Sequence, residues 1–79
     1  MKPKWIEGPP SARGNYWIVW QDDKGKRDVI AVDVSPDLIY IKDEKAPLRL
    51  KLLGGMAYDF EANRSHITHH MPMVAPEAP

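Results

Sequence analysis

The chain has no cysteine, a single phenylalanine and no net charge, with 11 Lys and Arg balanced by 11 Asp and Glu over 79 residues. Without cysteine there is no disulfide framework and no thiolate ligand for zinc, so a domain this small depends on one compact core. Without net charge the strong basic field behind non-specific nucleic-acid binding is missing, although a local patch is compatible with neutrality. No stretch approaches the ~18 consecutive apolar residues of a membrane span, and the run Trp17–Trp20 is only four letters long. Membrane association is therefore not expected. Met1-Lys2-Pro3-Lys4 is basic but no apolar stretch follows it, so no secretory signal is visible and the cytoplasm is the expected compartment.

Catalytic patterns are equally scarce. Gly54-Gly55 stands outside any phosphate-cradling glycine context. Ser65-His66 is the one Ser-His adjacency, and neighbours in sequence seldom meet as nucleophile and base. The carboxylate pairs Asp22-Asp23 and Asp43-Glu44 fall in turn-like segments, where Asp serves the backbone better than it serves acid–base chemistry. His66, His69 and His70 cluster within five residues, but on a strand His66 and His70 lie roughly 13 Å apart at about 3.3 Å per residue. His69 and His70 would then point to opposite faces, so no metal, no cofactor and no enzymatic activity are expected.

What the chain does contain is strand-forming sequence. Tyr16, Trp17, Ile18, Val19 and Trp20 make a β-branched and aromatic run, which reads as a central strand over Gly14–Gln21. Asp22-Asp23-Lys24-Gly25 supplies a turn, and Lys26–Val34 returns as the second arm of a hairpin. Leu38–Lys42 reads as a short third strand. Leu48, Leu50 and Leu52 alternate with Arg49 and Lys51, and Met56, Tyr58 and Phe60 alternate across the Gly54-Gly55 turn, giving two more. Ile67–Met71 is a weaker last strand, and Asp59–His69 has too few large apolar residues for more than one helical turn. The expected fold is mainly β: a small antiparallel meander, or a partly closed barrel, of five to six strands. Residues 1–74 form the single domain with an N-terminal Trp/Pro arm, and 75–79 form a flexible Pro-rich tail.

The aromatic residues are the main chemical feature. Three tryptophans fall within the first 20 residues, and one strand cannot point all its aromatic side chains into a core. If Tyr16, Ile18 and Trp20 face inward, Trp17 and Val19 lie on the opposite face, covered by the Trp5 arm, by the proline tail or by another protein. Trp5, between prolines, is expected to pack against His70 and Met71 and so join the two ends of the chain. Residues 1–27 carry a charge of +3 and residues 28–61 a charge of −3, an asymmetry that could steer a partner.

Trp5-Ile6, Pro9-Pro10 and Gly14-Asn15-Tyr16 at the start, with Thr68-His69-His70-Met71-Pro72 running into Pro76 and Pro79 at the end, resemble a family of small phage and prophage proteins. This is the group called the domain of unknown function 551. The chain departs from it where His70 takes the place of a tryptophan and where Met73-Val74-Ala75 replaces a denser proline run. The resemblance implies a viral origin in a bacterial host cell and brings no activity with it. The leading expectation is a non-enzymatic accessory protein that binds a host or viral protein, inhibition of host defence being one form. Trp5, Trp17, Trp20, Tyr40, His70 and Met71 are the candidate partner-binding residues. The alternative is a single-stranded nucleic-acid binder that stacks bases on Tyr16, Trp17, Trp20 and Tyr40 beside Lys24, Lys26 and Arg27.

Overall fold

A computed structural model describes residues 4–73. They form a mainly β structure, an open six-stranded antiparallel sheet. The strands are β1 (Ile6–Glu7), β2 (Gly14–Gln21), β3 (Arg27–Ser35), β4 (Arg49–Leu52), β5 (Ala57–Asp59) and β6 (Ile67–Pro72), in the spatial order β1-β6-β2-β3-β4-β5. Strands β2 to β5 are a meander. The last strand then returns between the first two, so the sheet keeps two free edges. The tail beyond residue 74 lies outside the described residues.

Local chemistry accounts for the turns. Asp22 Oδ1 accepts from the backbone N–H groups of Lys24 and Lys26, both at 2.9 Å, and Gly25 takes φ +85°, closing the β2–β3 hairpin. Gly54 and Gly55, at φ +100° and +89°, close the β4–β5 hairpin in a region that other residues avoid. Asp59 caps the segment that follows β5, accepting from Glu61 N–H at 3.3 Å. That segment is one turn of α-helix, α1 (Phe60–Asn63), followed by a 3-10 turn (Arg64–His66).

The short strand expected over Leu38–Lys42 is not formed. Leu38–Tyr40 is a 3-10 turn, whose amide groups are used locally: Tyr40 N–H donates to Asp37 C=O at 2.8 Å and Asp43 N–H to Tyr40 C=O at 2.9 Å. β-Branched composition favours a strand only where a neighbouring ladder can take it. Here β4 pairs directly with β3 through Val32↔Leu52 and Val34↔Leu50, which leaves no place between them.

Among the described residues, one face of the sheet is covered and the other is left largely bare. Register puts Tyr16, Ile18 and Trp20 of β2 on the same side as Ile30, Val32 and Val34 of β3 and Leu50 and Leu52 of β4. On this side lies the core, made of Ile18, Val32, Val34, Leu50, Phe60 and Ile67. Phe60 is 2% exposed, so the crossover from β5 to β6 runs over this face. The crossover from β1 to β2 uses it too: Tyr16 Oη donates to Ala12 C=O at 2.9 Å and His70 Nδ1–H to Gly8 C=O at 2.7 Å. A bulge at Thr68, between Val19↔His69 and Trp20↔Ile67, lets Ile67 and His70 share the covered side although they are three residues apart.

Candidate protein-binding surface

The six candidate residues divide between different surroundings. Trp20 is on the covered face, stacked on His66 at 4.7 Å between ring centroids, and His66 Nδ1–H donates to Gln21 C=O at 2.9 Å. His70 is on the same face, edge-on to Tyr16 at 5.5 Å and bonded to Gly8. Both are engaged within the fold. Trp17 and Met71 are cross-strand partners on the bare face, where Trp17 is 38% exposed. Trp5 immediately precedes the Ile6↔His70 pair, which joins the N-terminal arm to β6 as expected. The full packing expected of Trp5 is not found, because it sits on the bare side of the edge strand and stays 40% exposed. Tyr40 belongs to the 3-10 turn and is about half exposed.

That turn is the surface most easily missed in the sequence, where Leu38, Ile39 and Ile41 look like strand core. Leu38 is 81% and Ile39 83% exposed, and Tyr40 and Ile41 follow them outward. The loop is nevertheless fixed. The Arg13 guanidinium donates to Ile41 C=O at 2.6 Å and also to Asp43 C=O, bridging from the N-terminal arm to the end of the turn. Lys51 Nζ donates to Pro36 C=O at 2.6 Å, and Arg49 Nε lies 3.6 Å from Asp37 Oδ1 at the other end of the loop. Asp43 Oδ1 accepts from Lys45 N–H at 2.9 Å. Between this loop and the β4–β5 hairpin runs an open groove of about 630 Å³, with Leu38, Ile39 and Met56 along its apolar rim and Lys51 and Asp37 in it.

A cleft of about 330 Å³ on the covered face is lined by Trp20, Ile30, Leu52, Tyr58 and Asn63 above the core, with no carboxylate or histidine among its lining residues. The three histidines are each tied to a different partner, His69 Nδ1 to Thr68 Oγ1 at 2.9 Å. Among the described residues no three His, Asp or Glu side chains lie close enough to hold a metal ion. Nor do the proposed base-stacking residues form one platform, since Tyr16 and Trp20 face the core side, Trp17 the other side and Tyr40 the loop. Among the described residues no helix is long and apolar enough to cross a membrane.

No protein-family model, no curated protein and no solved structure matches this chain.

Proposed function

We propose that the protein is a non-enzymatic binding protein that recognises another protein through the Leu38–Ile41 loop and the adjoining Met56. The observation that carries this reading is a run of four apolar residues held outward on a braced loop. An apolar segment left free to move would lose conformational entropy on binding, whereas one already clamped by Arg13 and Lys51 loses little. Exposed aliphatic and aromatic residues beside a groove are also what a protein partner buries at the centre of an interface. The terminal motifs, which resemble those of the domain of unknown function 551, suggest the setting: a phage or prophage accessory protein in the bacterial cytoplasm, with a host or viral protein as partner. Inhibition of a host defence system is one form such binding could take.

A nucleic-acid partner fits less well. Lys24, Lys26 and Arg27 are at the β2–β3 hairpin, at the opposite end of β3 from Tyr40, so basic and aromatic groups do not line one track. Affinity capture from bacterial lysate with the wild type and Ile39→Asp tests the reading. A specific protein retained by the wild type and lost with Ile39→Asp, at unchanged melting temperature, is the expected result. Capture that is indifferent to Ile39→Asp, or a nucleic acid in place of a protein, would overturn it.

A further inference from the structure

We propose that the bare sheet face is an interface between two copies of this chain, packed face to face about a two-fold axis that runs parallel to the strands between β2 and β3. The Leu38–Ile41 loop lies outside the rows that form this surface, although Asp33, Lys51 and Ala57 of its outermost row also line the groove beside Leu38 and Ile39. The pairing writes it out in rows across the sheet. One row contains Met71, Trp17 and Ala31, and extending the registers by one step adds Trp5 at one end and Leu53 at the other. No member of this row is charged. The next row toward the β2–β3 hairpin holds His69, Val19 and Val29, with Glu7 outermost, and the row on the other side holds Asn15, Asp33, Lys51 and Ala57.

Reflection of these rows about the β2–β3 midline is what a second copy would present. Strand β2 of one protomer then lies over β3 of its partner at the ~10 Å spacing of stacked sheets. Trp17 meets Ala31, Met71 meets Leu53 and Val19 meets Val29, each apolar group finding an apolar one. Asn15 meets Asp33, an amide donor opposite a carboxylate. Shape agrees with polarity. Trp17 pairs with the small Ala31, and an open groove of about 310 Å³ is lined by Asn15, Ala31, Asp33, Lys51, Leu53 and Met73. A Trp17 ring from the partner would enter this groove, and the same contact repeats by symmetry, which is the self-complementarity that a two-fold dimer requires.

Charge permits the arrangement as well. Around the apolar row, Glu7 and Asp33 are balanced by Arg27 and Lys51, so two identical faces meet without net repulsion. A domain whose core cluster, among the described residues, is six buried side chains also has much to gain from a second layer over its sheet.

Sedimentation equilibrium on the full chain tests the proposal, with folding of each variant checked by circular dichroism. At roughly 100 μM protein the wild type should be dimeric, and Trp17→Ser and Met71→Glu should each weaken dimerisation by about 100-fold or more, because symmetry removes the contact twice. Ile39→Asp, in the loop, should leave the dimer intact, so failure of this proposal is distinct from failure of the loop reading. A wild type that stays monomeric, a Trp17→Ser protein that still dimerises, or a dimer abolished by Ile39→Asp would each overturn it.

Discussion

Ile18 and Trp17 are adjacent in the chain and occupy opposite surroundings. Ile18 is fully buried in the core cluster with Phe60 and Ile67, while Trp17, the larger side chain, is left 38% exposed. The difference comes from the connections. Both crossovers, Gly8–Arg13 and Phe60–His66, pass over the Ile18 side, and among the described residues the other side receives only the loop after β3 along one flank. Burial of a full apolar side chain stabilises by about 1.5–3 kcal/mol, so stability is concentrated on one face. The opposite face and the loop contribute less to it.

The largest effect should come from the covered face. Phe60→Ala removes the side chain that holds the β5–β6 crossover down and should cost about 3–5 kcal/mol, comparable with the whole stability of a domain of this size. Urea denaturation checks this, and a loss under about 1 kcal/mol would mean that the crossover does not pack. Trp5→Ala, at the edge of the bare face, should cost only about 1 kcal/mol, because its ring is partly in water already. A cost near 3 kcal/mol in thermal denaturation would show that Trp5 is closed over by the closing segment after all.

Arg13→Ala should have a smaller effect on global stability, under about 1 kcal/mol, since both of its hydrogen bonds are at the surface. Its local effect should be clear: faster hydrogen exchange at Tyr40 and Asp43, whose amides close the 3-10 turn. Unchanged exchange there would mean that the loop is held by other contacts. Ile39→Asp should be the mildest, within about 0.5 kcal/mol of wild type, and should affect binding alone.

Much of the sheet was legible in the residues. Strand β2 follows from the unbroken run Tyr16–Trp20, the two hairpin turns from Asp22 and Gly25 and from Gly54-Gly55, and β4 from the alternating leucines. The joining of the chain ends was legible as well, in the isolated Trp5-Ile6 and the His70-Met71 segment that Ile6 meets. Leu38–Lys42 reads as a strand and is not one because β propensity describes a side chain that suits a pleated surface, and whether a ladder exists to receive it is decided by β3 and β4 pairing with each other. The split among the aromatic residues was half legible. Alternation separates Trp17 from Tyr16 and Trp20, but which face the crossovers would cover depends on contacts such as His70 with Gly8, 62 residues apart, that no local pattern encodes.

The two-sided structure is most exposed to test at positions 17 and 18, where one step along β2 changes the face. Trp17→Asp and Ile18→Asp introduce the same charge next to each other, and thermal melts at low protein concentration compare them without a contribution from self-association. Trp17→Asp should melt within about 4 °C of wild type, as surface changes do in a domain of this size, while Ile18→Asp should leave no cooperative transition. Equal destabilisation by the two substitutions would contradict a bare Trp17 face, because it would mean that the monomer itself buries both sides of the sheet.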